Sequence, residues 1–324
     1  MGSELVAVER GSAGSLVVPA ATAERAREYA SQSKAENTLK AYRNDWSDFA
    51  AWCEQHGADP LPASPQTVGL YLTDRAASLK PATLQRRLTS ISQAHRVAGE
   101  RLDTGHPAIR DVWAGIRRVH GTAQNAKAPT VTADIRAMIE AAPDSLRGAR
   151  DRALLLVGFA GAFRRSELVG IDVADVETTR EGLVINLRKS KTDQEGQGVR
   201  IAIPYGSNPD TCPVRAVEAW RAAAGIETGP LFRSVNQHGH VSPAGLSDKA
   251  VALIVKGYAA QLGLDPAKYA GHSLRAGFAT AAAMSDVSER RIMDQTRHKS
   301  VNMVRRYIRE GNLFRDNAAG RVGL

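Results

Sequence analysis

Leu183-Val184-Ile185-Asn186-Leu187 and Val199-Arg200-Ile201-Ala202-Ile203, joined by a polar stretch from Lys189 to Gly198, are the two runs that decide the fold. Both are β-rich runs, and the polar stretch between them reads as a turn, so they read as paired antiparallel strands. Elsewhere the apolar period is helical. Asp151 to Phe163 is strongly apolar and reads as a buried helix, and Thr132 is a good N-cap for a helix through Ala141. Downstream, helices are expected from Cys212 to Ala224, Leu246 to Leu262, His272 to Met284, Ser288 to Gln295 and Ser300 to Ile308.

Nearer the N-terminus, Leu39, Tyr42, Trp46, Phe49 and Cys53 recur at helical spacing and stop at Gly57, a natural C-cap. Three more helices follow, from Ser64 to Ala77, Pro81 to Ala98 and His106 to Val119. Short connections and helical periodicity make residues 35–120 a compact helical unit. The stretch 121–131 reads as a linker, 132–308 as a second, mixed unit, and 309–324 as a tail. Residues 1–34 carry one short helix signal, Thr22 to Ala30, and are expected to form a mobile arm. The fold class expected is mainly α with a small antiparallel β-sheet, in two domains.

A chain of 324 residues is long enough for two cores. No apolar run approaches the roughly 20 residues that span a bilayer, and no signal-peptide pattern opens the chain, so a cytoplasmic protein without membrane partners is expected. Two cysteines, Cys53 and Cys212, are too few for a disulfide framework or a thiolate zinc site. The formal charge of +9 points to a polyanionic partner. His238-Gly239-His240 has no third ligand at metal spacing, and no Gly-rich phosphate loop occurs, so no metal and no cofactor are expected.

Four separated signals in the second half carry chemistry. Gly161-Ala-Phe-Arg-Arg-Ser-Glu-Leu places Arg164 and Glu167 one turn apart, and Ser190-Lys-Thr-Asp puts Lys191 on the hairpin turn. Gly271-His-Ser-Leu-Arg sets His272 and Arg275 on one helix face, and His298 precedes Tyr307 across a short helix. Two arginines clamp the non-bridging oxygens of one phosphodiester, and histidines donate or accept protons near neutrality. A tyrosine hydroxyl needs a positive field and a base before it attacks, and a lysine on a turn can protonate a leaving oxygen. Dense donors around a pentacoordinate phosphorus supply electrostatic stabilisation without a metal.

Arg-x-Ser-Glu, Ser-Lys-Thr, Gly-His-Ser-x-Arg and His-(eight residues)-Tyr, in this order, resemble the tyrosine recombinase (phage integrase) family. Ile292-Met-Asp-Gln, Ser300-Val-Asn-Met-Val-Arg-Arg-Tyr-Ile-Arg and the stretch from Asn37-Thr-Leu-Lys to Ala51-Trp-Cys resemble its Cre-like branch. His298 departs from that branch, which has tryptophan there, toward the histidine of the wider family. The resemblance implies a C-shaped clamp of a helical core-binding domain and a catalytic domain. It implies that Tyr307 is the nucleophile, forming a 3′-phosphotyrosine, that Arg164 and Arg275 hold the scissile phosphate, and that His272 moves a proton near Tyr307. By the same resemblance Glu167 orients the cluster, Lys191 is the general acid, and His298 donates to the phosphate.

The implied partner is double-stranded DNA with inverted-repeat half-sites, bound by a homotetramer that passes through a Holliday junction. Lys40, Ala41, Asn44, Gln85, Arg86, Arg87 and Lys249 then fall toward the DNA, and Leu313, Phe314, Val322 and Leu324 form a tail docking on a neighbouring protomer. Two alternatives share parts of this reading: a type IB topoisomerase, and a catalytically silent DNA-binding regulator.

Overall fold

The computed structural model describes residues 5–8, 16–31, 34–122, 127–188, 198–311 and 322. The chain divides into two compact units, Met1–Gln124 and Asn125–Leu324, so the boundary falls inside the expected linker.

Unit 1 begins with β1 (Leu5–Val8) paired antiparallel to β2 (Leu16–Pro19), followed by α1 (Ala20–Ser31). The short helix expected at Thr22 to Ala30 is present, whereas the hairpin before it was not foreseen where a mobile arm was expected. Then come α2 (Glu36–Gln55), α3 (Pro65–Ala76), α4 (Pro81–Val97) and α5 (Pro107–His120). These match the four helices read from periodicity. Three of them have proline in the first turn, where its missing N–H costs nothing, and the Ser64 hydroxyl caps α3 by accepting from Thr67 N. Phe49, Trp52, Cys53, Leu72, Leu84, Ile91 and Ile109 close the core. α3 approaches α5 closely because Gly69 lacks a side chain; a Cβ there would lie 2.2 Å from the Ala108 carbonyl oxygen.

Unit 2 opens with α6 (Thr132–Glu140), α7 (Leu146–Ala160) and the single-turn α8 (Arg165–Val169). The residue before α6 is Val131, not Thr132; its N–H is satisfied by the Asp134 carboxylate at 3.0 Å, so the acid inside the first turn replaces the hydroxyl cap. α7 is buried through Ala153, Leu154, Leu155, Leu156 and Val157, as its unbroken apolar run requires. The sheet has three strands, β3 (Val176–Thr178), β4 (Gly182–Leu187) and β5 (Val199–Pro204), in the order β3-β4-β5. The pairing of β4 with β5 runs from Gly182↔Pro204 to Leu187↔Val199, and Leu183, Ile185, Leu187, Ile201 and Ile203 alternate into the core.

α9 (Pro213–Ala224) packs on α7, and its Trp220 is fully buried with its indole N–H on the Leu231 carbonyl. A second hairpin, β6 (Arg233–Val235) with β7 (Val241–Gly245), leads to α10 (Asp248–Gln261). The chain closes through α11 (His272–Met284), α12 (Glu289–Thr296) and α13 (Val301–Gly311). These three enclose a small satellite core of Ala276, Ala279, Ala283, Ile292, Val304 and Tyr307.

Part of the expected linker belongs to this unit. Ala128 N–H bonds Lys268 O at 2.7 Å and Thr130 N–H bonds Ser273 O at 3.1 Å. A Cβ on Gly277 of α11 would lie 1.9 Å from the Thr130 carbonyl oxygen, so that glycine is what admits the strap. Among the described residues no helix is long and apolar enough to cross a membrane.

Candidate active site

Six of the seven residues expected to carry the chemistry converge in unit 2. Lys191, the seventh, lies outside the described residues. The first contribution comes from the turn that ends α7. Ala162 takes φ 46, a left-handed conformation that disfavours a side chain and that clusters at functional sites. Its carbonyl accepts from Arg275 Nη1 at 2.7 Å and from Arg297 Nη2 at 3.0 Å.

Arg164 follows as the N-cap of α8, so it precedes the helix rather than lying within it. Glu167 turns back on it: Oε2 accepts the Arg164 backbone N–H at 2.9 Å and Oε1 the guanidinium at 2.5 Å. Oε2 also accepts from Arg297 Nη2 at 3.0 Å. Burial pushes the Glu167 carboxyl upward, but the Arg164 hydrogen bonds and the Arg297 and Arg164 charges outweigh it and hold the pKa below its ordinary value.

The first turn of α11 supplies His272 and Arg275. Arg275 is 1% exposed, and its Nη2 is buried without a partner. Burial, ahead of the like charges of Arg164 and Arg297, pushes its guanidinium down to about 9, with Glu167 and Tyr307 opposing, so it stays charged at neutral pH. The protein around His272, ahead of Arg275, Arg164 and Arg165, lowers its imidazole pKa, although part of the residue is open to solvent.

α13 supplies Tyr307, whose hydroxyl lies 3.1 Å from His272 Nε2. His298 follows α12, its ring centroid 5.9 Å from that of Tyr307. Its Nδ1 lies 2.8 Å from Thr296 Oγ1, and that hydroxyl donates to Ile292 O at 2.6 Å. The threonine proton being committed, Nδ1 is the donor, and Nε2 carries a proton only when the ring is charged. Burial, ahead of Arg275 and Arg164, pushes His298 down to about 4. The ring is therefore neutral near pH 7 in the absence of an anion.

Two guanidiniums, those of Arg164 and Arg297, thus bond one carboxylate, with Arg275 held on the Ala162 carbonyl, beside a tyrosine hydroxyl on an imidazole. The excess of positive charge and the unpartnered Arg275 Nη2 suit a bound anion, and the hydroxyl is placed to attack it. Arg297 was missed from the sequence. One signal pointed to it: the helix read as Ser288 to Gln295 puts residue 297 just past the helix end, where glycine or asparagine is usual.

The residues expected to face DNA divide. Lys40, Asn44, Gln85 and Arg86 are exposed, as is Lys249 in the first turn of α10, and Ala41 is half-buried. Arg86 reaches Asp45 at 2.7 Å and 3.0 Å while keeping half its side chain exposed. Arg87 contradicts the expectation. Its side chain is 13% exposed, and its guanidinium bonds Asp48 and the Tyr71 hydroxyl, so it belongs to the internal network of unit 1. Of the tail residues, Val322 is exposed, and Leu313, Phe314 and Leu324 lie outside the described residues. His238 and His240 are exposed on the β6–β7 turn, and no group of three or more potential metal ligands occurs among the described residues.

Residues 131–312 match the phage integrase family. The chain is 46% identical over 303 residues to an integrase/recombinase XerD homologue of Selenomonas ruminantium, covering 92% of this chain and 89% of that one. It is 27% identical over 301 residues to the recombinase Cre of Escherichia phage P1, covering 86% and 85%. In fold it is similar to the XerH site-specific recombinase in a post-cleavage complex with its palindromic difH substrate, with TM-score 0.59, 15% identity and coverage of 79% of this chain and 72% of that one. It is likewise similar to a lambda integrase fragment bound to a core site, with TM-score 0.57, 19% identity and coverage of 89% and 93%.

Proposed function

Because the chain belongs to the phage integrase family of tyrosine recombinases and is a site-specific DNA recombinase, we propose that Tyr307 is the nucleophile of a metal-free strand exchange. The observation that carries this reading is the 3.1 Å approach of the Tyr307 hydroxyl to His272 Nε2 beside the buried guanidinium of Arg275 and the partly buried one of Arg164. The Tyr307 oxygen attacks the scissile phosphorus, and its proton passes to neutral His272. The bond from phosphorus to the 5′-oxygen breaks, leaving a 3′-phosphotyrosine, and Lys191 protonates the leaving oxygen. Arg164 and Arg275 hold the non-bridging oxygens, and His298, charged once the phosphate is present, donates from Nε2.

The phosphotyrosine conserves the broken phosphodiester, so a 5′-hydroxyl from a partner strand reverses the step at little cost in free energy. Two rounds on paired sites pass through a Holliday junction. The substrate is a short inverted-repeat site bound by a homotetramer, with Lys40, Asn44, Gln85 and Lys249 among the residues that meet the duplex. Phosphate contacts dominate affinity and few side chains read bases. Leu313, Phe314, Val322 and Leu324 dock on a neighbouring protomer. A mainly apolar cavity of about 490 Å³ in unit 2, whose lining includes Ile135, Phe159, Ile203, Phe278 and Val287 together with Arg136 and Arg291, has the size and polarity to receive such side chains.

The test is a nicked suicide duplex built from the inverted repeats beside the gene. A detergent-resistant adduct is expected with the wild-type chain and none with Tyr307→Phe. An adduct that survives this substitution would overturn the assignment.

A further inference from the structure

Arg297 occupies a conformation that does not suit it. It follows the last residue of α12 at φ 57 and ψ 39, left-handed backbone in which a side chain costs about 1 kcal/mol relative to glycine. The side chain nevertheless turns inward and is only 8% exposed. Its Nη1 donates to Gly161 O at 3.0 Å and to Gln295 O at 2.7 Å. Its Nη2 donates to Ala162 O at 3.0 Å and to Glu167 Oε2 at 3.0 Å. The guanidinium also lies over the Phe163 ring, 5.3 Å from its centroid.

These partners have one thing in common. Gly161, Ala162 and Phe163 form the turn that presents Arg164, and Ala162 O is the same atom that Arg275 Nη1 grips. Glu167 holds Arg164 with one carboxylate oxygen and Arg297 with the other. On its own strand of chain, Arg297 immediately precedes His298. One side chain therefore joins the ends of both phosphate-binding arginines to the segment carrying His298, across 130 residues of sequence. Both Nη atoms are engaged with protein, and Nε is fully buried, so Arg297 is not placed to hold the phosphate itself.

We propose that Arg297 is a positioning residue for DNA cleavage: by bridging Glu167 and the Ala162 carbonyl, it sets Arg164 and Arg275 at the spacing of one phosphate and fixes His298 beside them. This rests on the recombinase reading above. A residue serving only to end α12 would be served as well by glycine, which is free of the left-handed strain. The side chain is what the role requires.

The experiment compares the full-length wild-type chain with Arg297→Gly on the nicked suicide duplex, following adduct formation under single-turnover conditions, DNA affinity and thermal melting. Glycine relieves the backbone strain, but four hydrogen bonds and one partner of a buried ion pair are lost, so a lower melting temperature is expected; at a temperature where both proteins are folded, DNA affinity is expected to stay within about twofold. Adduct formation is expected to slow by about tenfold to a hundredfold, the scale of a small misplacement of reacting groups. Ethylguanidinium added to Arg297→Gly is expected to restore part of the rate. The same loss is expected to shrink in a Glu167→Gln background, because the two residues act through one network.

Wild-type cleavage by Arg297→Gly would overturn the inference, as would a slowing that is neither rescued by ethylguanidinium nor reduced in the Glu167→Gln background. If Arg297→Gly does not fold, Arg297→Gln keeps the length without the charge; slow cleavage with intact DNA binding supports the role, and wild-type cleavage refutes it. No adduct from the wild-type chain would sink the recombinase mechanism and this role with it, whereas equal adduct from wild type and variant would sink only the role of Arg297.

Discussion

The Tyr307 hydroxyl and His272 Nε2 stand 3.1 Å apart, the separation of a hydrogen bond along which the proposed nucleophile would pass its proton to the ring. The contact has the right polarity because the protein around His272, then Arg275, Arg164 and Arg165, disfavours the imidazolium. A neutral ring with its proton on Nδ1 leaves Nε2 free to accept.

Removing that acceptor should slow attack without weakening DNA binding. His272→Ala is expected to lower the second-order rate of adduct formation by about 10²-fold, a typical worth of a positioned base. In the wild type this rate should fall as pH drops through a value below the ordinary histidine pKa of about 6.5, since the shift is downward. The charged and titratable groups facing the ring are Arg164, Arg165, Arg275, Tyr307 and His298, and His298, pushed down to about 4, is the second group that an acid limb has to be distinguished from. A pH–rate profile of both proteins checks it; a His272→Ala profile with the same acid limb would assign that limb elsewhere.

Glu167→Gln should damage folding as well as cleavage. The carboxylate is 5% exposed and answers two guanidiniums, so the neutral amide leaves Arg164 and Arg297 buried without a counter-charge. Losing one partner of a buried ion pair costs about 3 kcal/mol or more. Chemical denaturation should report this for unit 2, and a wild-type midpoint would show that the pair contributes little.

DNA binding should take up a proton through His298. The free ring sits at about 4 and is neutral at pH 6, and an anion near Nε2 raises its pKa toward or above the ordinary value. Between those limits the complex binds more protons than the separate partners, so affinity rises as pH falls. Titration calorimetry at pH 6 in buffers of different ionisation enthalpy should show net uptake, reduced in His298→Asn. An identical uptake by that variant would move the effect to another group.

In unit 1, neighbouring residues should separate stability from recognition. Arg87→Ala breaks the network with Asp48 and Tyr71 and should cost about 2 kcal/mol in stability. Gln85→Ala, at an exposed position whose side chain takes no part in the Asp45 and Asp48 ion pairs, should leave stability within about 0.5 kcal/mol and alter affinity or base preference. Melting curves beside binding to a panel of half-site variants distinguish the two; the reverse pattern would restore Arg87 to the DNA face.

The main helices were legible because Leu84, Leu88 and Ile91 repeat with a helical period, and because the apolar stretch around Leu154 to Val157 continues for longer than a strand usually runs. The candidate catalytic side chains were legible as short local motifs. The third strand, Val176–Thr178, has only three residues, and the second hairpin contains Pro243 and Gly245, which depress any strand signal. The pairing of Arg87 with Asp48 and of Arg297 with Glu167 spans 39 and 130 residues, and charge alone does not tell an internal partner from a phosphate. The left-handed turn at Ala162 left no trace, since alanine is not the residue that conformation selects.

The unpartnered Nη2 of Arg275 has a consequence for anyone who would improve this protein in the laboratory. A buried guanidinium with an idle donor, pressed against like charges, makes the substrate-free fold weaker than an apolar side chain of similar volume would. A library sorted for heat resistance alone would therefore favour substitutions such as Arg275→Met, and its most robust survivors would be ones that lack the proposed phosphate ligand. Selection for durability here has to be coupled at every round to selection for the reaction.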